Sequence, residues 1–167
     1  MKKQYSFSFD ADKCLKCWAC ELACQQWRGI KPGTVKLRQV TEVTRGSYPN
    51  VRRVFLSLSC RHCAKPPCAA ACPTGAITKR SEDGIVVVES QKCIGCRTCL
   101  EACPFGVPRY AEDGTMQKCD MCLDRLAAGQ RPICAETCPT GALFWGTLPE
   151  IARRAGLKGA NKIASAL

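Results

Sequence analysis

In CLKCWACELAC, from Cys14 to Cys24, cysteines stand at gaps of two, two and three residues, and nearly the same figure recurs three more times along the chain. Cys60, Cys63, Cys68 and Cys72 have gaps of two, four and three; Cys93, Cys96, Cys99 and Cys103 have two, two and three; Cys119, Cys122, Cys134 and Cys138 have two, eleven and three. A lysine precedes Cys14, Cys93 and Cys119, proline follows Cys72, Cys103 and Cys138, and CPTGA occurs twice. The pattern is an internal repeat.

The figure has a geometric reason. Two-residue gaps let a short loop curl around one metal cluster, so that three successive thiolates reach three irons. A fourth cysteine three residues on lies where the chain turns helical, as in ELAC, AAAC, LEAC and AETC, and its sulfur points to the neighbouring cluster. Proline then ends the turn, because it cannot continue a helix. This spacing is the bacterial ferredoxin signature for 4Fe-4S clusters. A zinc site uses two cysteine pairs and has no use for a third cysteine two residues on. Only the last group, CDMC with Cys134 and Cys138, would pass as a zinc motif by itself. Sixteen thiolates divide into four 4Fe-4S clusters, with no group short of a ligand and no three-iron cluster expected.

Between Cys72 and Cys93, the segments AITKR and IVVVE around SEDG read as a hairpin that leads into the next cluster loop. That is the layout of a single two-cluster ferredoxin, so groups two and three pair and groups one and four pair around them. Exchanging the fourth cysteines predicts four sites: Cys14, Cys17, Cys20 with Cys138; Cys119, Cys122, Cys134 with Cys24; Cys60, Cys63, Cys68 with Cys103; and Cys93, Cys96, Cys99 with Cys72. The expected fold is α+β, two nested ferredoxin-like units of short helices and hairpins related by a pseudo-twofold, with a small β insertion. The outer unit takes residues 1–27 and 104–148, the insertion 28–59, the inner unit 60–103, and a C-terminal helix and tail 149–167. Gln25 stands where the other groups have proline, so the chain is expected to run on helically through Gln26 and Trp27.

Leu, Ile, Val and Phe make up about a fifth of the 167 residues, at the edge of what folds without help. The clusters must therefore fill part of the core. MKKQYSFSFDAD has no apolar run of signal-peptide length, and no apolar run approaches the ~20 residues of a membrane span. The expected setting is cytoplasmic, with any membrane association made through another subunit and no direct insertion.

From Tyr5 to Pro149 the chain resembles the four-cluster iron-sulfur subunit of the dimethyl sulfoxide reductase family, in KCLKCWACELAC, SCRHCAKPPCAAACPTGAI, CIGCRTCLEACPFGVP and KCDMCLDRLAAGQRPICAETCPTGAL. The resemblance implies a near-linear row of four clusters that carries single electrons. One end would serve a large catalytic subunit holding a molybdenum or tungsten pterin, the tungsten aldehyde oxidoreductases included; the other would serve a second redox subunit, flavin, ferredoxin or membrane quinone-linked. The chain alone is then no enzyme. It holds no HExxH, no GxGxxG and no serine-histidine pair. A free-standing polyferredoxin, a hydrogenase or formate dehydrogenase accessory protein, and a zinc-bound interaction module are the competing readings.

Nucleic acid is not expected as a partner, although the formal charge is +11. Four oxidised clusters with their thiolates would bring it to about +3. Lys13, Lys16, Lys92, Arg97 and Lys118, beside the cluster loops, either raise cluster potentials or are solvated surface charge. Between Arg28 and Arg53 lie seven basic residues and one acid, Glu42, on two expected strands, TVKLRQV and RRVFLSLS; an acidic partner's docking face and a solvated loop are both open. His62 is read as a support or surface residue, and Trp18 and Trp27 as shields of the outer pair. ALFW reads as a strand, TLPE as a capping box with Thr147 and Glu150, Gly156 as the end of the helix it opens, and the tail as an amphipathic segment through Ile163 and Leu167.

Overall fold

Every cysteine group is entered by one strand and left by another. β1 (Tyr5–Phe9) and β2 (Arg38–Arg45) flank the first group, β3 (Arg52–Ser59) and β4 (Ile77–Lys79) the second, β5 (Val86–Val88) and β6 (Arg109–Tyr110) the third, and β7 (Met116–Gln117) and β8 (Leu143–Thr147) the fourth. They pair as four two-stranded antiparallel ladders, β1·β8, β2·β3, β4·β5 and β6·β7. The first and last strands close the chain on itself, from Tyr5 opposite Thr147 to Phe9 opposite Leu143, and Tyr5 stacks on Trp145 at 4.8 Å. This computed structural model describes residues 3–33 and 35–164, with side chains to residue 158.

The helices are mostly single turns at the third and fourth cysteines of each group: α1 (Ala19–Trp27), α2 (Pro67–Ala70), α3 (Thr98–Glu101), α4 (Leu123–Ala127) and α5 (Ile133–Glu136). Proline sets their length. After Cys72, Cys103 and Cys138 it breaks the helix and opens a turn in which the amides of Gly75, Gly106 and Gly141 donate back to the cysteine carbonyls at 3.1–3.3 Å. Gln25 imposes no such stop, and α1 runs on to Trp27 as expected. α1 packs on α5 and α2 on α3, so the helices of groups one and four meet, as do those of groups two and three.

The hairpin around SEDG is β4·β5; the basic segment forms β2·β3, with β2 starting only at Arg38, late in TVKLRQV, and running on to Arg45; and the last three residues of ALFW begin β8. Glu150 accepts the amide and hydroxyl of Thr147, both at 2.7 Å, which is the TLPE capping box opening α6 (Leu148–Ala164). Gly156 does not end that helix. Glycine in a helix interior costs about 1 kcal/mol against alanine. The cost is borne here because good helix formers stand on either side and Lys158 ties the helix to Asp10 and Asp12. The side chains of Ile163 and Leu167 lie outside the described residues. The β6·β7 hairpin was not expected from the sequence, since two-residue strands carry no periodicity.

The buried interior falls in two clusters. Phe7, Ile85, Val107, Met121 and Leu143 surround Cys60, Cys119 and Cys134; Ile77, Val86 and Met116 surround Cys99. Cysteine is thus a main constituent of the core.

Candidate metal centres

In all four groups the residue before the second cysteine has left-handed backbone: Lys16 (φ 55°), His62 (φ 47°), Gly95 (φ 68°) and Met121 (φ 63°). A left-handed residue here turns successive amides toward the inside of the loop, which forms a nest for an anion. The amides of His62 and Met121 point at Cys60 Sγ and Cys119 Sγ, each at 3.4 Å. Gly95 is glycine for a further reason. A Cβ there would stand 2.9 Å from the Gly114 carbonyl oxygen, whereas Lys16 in the first group accommodates its side chain. Gly95→Ala is expected to cost about 1–2 kcal/mol in left-handed backbone alone, seen as a lowered thermal midpoint and faster loss of iron to a chelator.

The loops gather the thiols into sets. Cys72, Cys93, Cys96 and Cys99 line one cavity; Cys14, Cys17, Cys20 and Cys138 line a second; Cys60, Cys63, Cys68 and Cys103 line a third. These three cavities are nearly equal in size. The remaining four, Cys24, Cys119, Cys122 and Cys134, are all buried and act on one another: Cys134 and Cys122 raise the pKa of Cys24, and Cys134 and Cys24 that of Cys119. Among the described residues no three His, Cys, Asp or Glu side chains group as a single metal ion needs. Thiols spread around a void suit a polynuclear centre.

Ionisation differs between positions. Burial pushes up Cys20, Cys60, Cys68, Cys119 and Cys122, and takes Cys24 up to about 12. Thr98 Oγ1, 3.4 Å from Cys96 Sγ, holds that thiol low. At Cys72 and Cys138 burial opposes ionisation, but the hydroxyls of Thr74 and Thr140 and nearby amides outweigh it and lower both. CPTGA therefore occurs twice for a reason, because its threonine supports a thiolate. The deep thiols keep their protons until a metal displaces them.

Two buried cations, Lys118 and Arg38, and the half-buried Lys79 underlie these sets. Lys118 donates to the carbonyls of Val86 and Cys119 and acts on Cys60 and Cys68. Lys79 donates to Gln4, the Cys63 carbonyl and the Gly84 carbonyl at 2.7–3.0 Å. Arg38, 2% exposed, donates from Nη1 to Ser57 Oγ at 3.0 Å, while its Nε and Nη2 are buried and unpartnered. Burial opposes its charge, yet Cys134, Cys119, Cys20 and Cys24 hold its pKa above the ordinary value. Among the described residues, none of the three has a carboxylate within ion-pair distance. Buried, unpaired positive charge next to thiols fits the net negative charge of a thiolate-held iron-sulfur cluster.

Residues 51–148, with twelve of the 16 cysteines, match the 4Fe-4S dicluster domain family. The chain is 44% identical over 165 residues to the B subunit of the anaerobic dimethyl sulfoxide reductase of Escherichia coli, covering 93% of this chain and 80% of that subunit. It is 41% identical over 154 residues to the thiosulfate reductase electron transfer subunit PhsB of Salmonella typhi, covering 90% and 79%. Against the iron-sulfur subunit of the nitrate-inducible formate dehydrogenase of Escherichia coli it is 34% identical over 167 residues, covering 90% and 56%. The chain belongs to this family of iron-sulfur subunits.

In this iron-sulfur subunit the basic residues divide by depth. Lys13, Lys92 and Arg97 are exposed, Arg97 lying 5.3 Å over Tyr110; Lys16 pairs with Glu42; Lys118 is buried. Arg38 and Lys79 are functional candidates that sequence reasoning missed. Of the seven bases from Arg28 to Arg53, Arg28 pairs with Asp120 and Asp124, Lys36 with Glu21, Arg53 with Glu42, and Arg38 is interior. Lys31, Arg45 and Arg52 are exposed and in none of these pairs. His62 is buried, accepts the Val86 amide at Nδ1 (3.0 Å), and is held neutral by burial and by Lys118. Trp18 lines the Cys14 cavity, whereas Trp27 clamps α1 to α4 through Asp124 (2.8 Å) and Arg125, and both are about half exposed. No helix among the described residues is long and apolar enough to cross a membrane.

Proposed function

We propose that the chain is an electron-transfer subunit with four 4Fe-4S clusters, held by Cys14, Cys17, Cys20 and Cys138; by Cys24, Cys119, Cys122 and Cys134; by Cys60, Cys63, Cys68 and Cys103; and by Cys72, Cys93, Cys96 and Cys99. The reading rests on one observation above all: thiols in sets of four, with buried cations that have no carboxylate partner. When bound, each cluster supplies a site that accepts and returns a single electron. The protein's residues set the conditions. They grip the irons, exclude water from the middle of the row, and hold fixed positive charge where an added electron would sit.

The helix pairs, α1 with α5 and α2 with α3, support a nested division. Residues 1–27 and 104–148 form the outer unit, 60–103 the inner, 28–59 the insertion and 149–167 the C-terminal helix. The two ends of the row differ from its middle. Cys17 and Cys96 are exposed, each beside an apolar residue, Leu15 and Ile94, that is more than two-thirds exposed; the Cys24 set is wholly buried. Electrons enter and leave at those ends, one facing a large molybdenum- or tungsten-pterin subunit and the other a flavin, ferredoxin or quinone-linked subunit.

Anaerobic purification under native conditions tests this. The expected result is a coloured preparation with about 16 irons per chain, in stoichiometric complex with a large pterin-containing subunit. A lone coloured monomer would instead support a free-standing polyferredoxin, and a colourless zinc protein would end the reading altogether.

A further inference from the structure

We propose that Arg38 sets the reduction potential of the cluster at Cys24, Cys119, Cys122 and Cys134, by holding a permanent positive charge against it and donating hydrogen bonds to its sulfur from Nε and Nη2. The inference rests on the four-cluster reading and names what the β2·β3 insertion contributes to it.

The geometry distinguishes Arg38 from the buried Lys118 and the half-buried Lys79. Lys79 places all three donors on carbonyl and amide oxygens and Lys118 places two of its three on carbonyls. Arg38 uses one nitrogen on Ser57, and the other two, fully buried, find no acceptor in the protein. Phe7 covers one side of the guanidinium at 4.5 Å, and the cysteines that act on its charge are Cys134, Cys119 and Cys24 of one set, together with Cys20 of the neighbouring set. A guanidinium does not shed its proton inside a protein, unlike a buried lysine, so its charge and its donors must be met by an anion. Ser57 extends the contact, since its Oγ lies 3.4 Å from Cys20 Sγ in the neighbouring set. Arg38 therefore stands at the step between two clusters, with three thiols of one set and one of the other acting on its charge and a hydroxyl linking it to the second.

The consequence is electrostatic. Reduction adds one negative charge to a site screened from water, where a nearby fixed cation acts strongly. The potential at the Cys24 set is thereby raised and the electron's passage through the middle of the row favoured.

The test is an EPR-monitored redox titration of the complete, iron-loaded protein and of Arg38→Gln, Arg38→Met and Arg38→Lys, with iron counted in each. Loss of the charge in Arg38→Gln and Arg38→Met is expected to disfavour reduction of one cluster at least tenfold, a downward shift of about 59 mV for one electron, with the other three moved less. The shifted signal should be the one that Cys24→Ser abolishes. Arg38→Lys, which keeps the charge, should recover most of the shift. If Arg38→Met loses iron, Arg38→Gln, which keeps a polar side chain in place, decides. Four unmoved potentials in an iron-replete charge-loss variant would overturn the role of Arg38 and leave the four-cluster reading intact, as would Arg38→Lys shifting as far as Arg38→Met. A wild-type protein lacking the cluster of the Cys24 set would overturn both.

Discussion

Chelating the iron from the protein without air is expected to abolish its cooperative thermal unfolding. Among the described residues only twelve apolar side chains other than cysteine and proline are buried, and three of these are alanines. That is a thin core against the ordering entropy of a 167-residue chain. The cysteines that complete it face voids once the irons are gone, and packing around a void is lost outright. Charge makes matters worse. Arg38 and Lys118 are buried with no carboxylate beside them, and an uncompensated buried charge costs about 3–5 kcal/mol. Binding of the clusters is therefore inseparable from folding, as in other small metal-dependent domains. Calorimetry and near-ultraviolet circular dichroism of the chelated protein check this. A sharp transition retained at zero iron would show that the polypeptide packs by itself.

Cys24→Ser and Cys134→Ser are expected to erase the same cluster, although the two residues are 110 positions apart, while Cys138→Ser erases the one held by Cys14, Cys17 and Cys20. Each variant should retain about 12 irons, losing the four of one cluster, and electron throughput to a reconstituted partner should fall by more than 100-fold. Loss of a supporting residue around a metal already costs about 10–100-fold, and loss of a ligand in the middle of a row leaves no shorter route. Mössbauer or EPR spectra of the three variants distinguish the pairings. If Cys24→Ser matched a variant at Cys20 in the signal it lost, the exchange of fourth cysteines between groups one and four would be wrong.

Much of the fold was legible because its causes are local. Proline after the fourth cysteine stops a helix within one turn, and Gln25 in its place lets α1 continue; both act through the backbone of neighbouring residues. The β4·β5 hairpin and the Thr147–Glu150 cap are equally short-range. Gly156 misled because a glycine near a helix end reads as a stop, while the contact that carries α6 past it, Lys158 with Asp10 and Asp12, spans almost the whole chain. Gly95 and Lys16 hold the same backbone conformation, and nothing nearby in sequence says that Gly114 would obstruct a side chain at one and not the other.

From its sequence alone this protein is committed to cysteines in four repeated groups, to turns after each group, and to membership of the iron-sulfur family, because spacing along a chain limits which atoms can reach a common centre. Only the tertiary structure decided which cations lie inside. Arg38 and Arg45 belong to the same strand, yet the first is buried opposite Ser59 and against Ser57 while the second is exposed opposite Arg52. The difference comes from where the β2·β3 ladder lies against α1, a long-range packing choice that no local pattern of charge encodes.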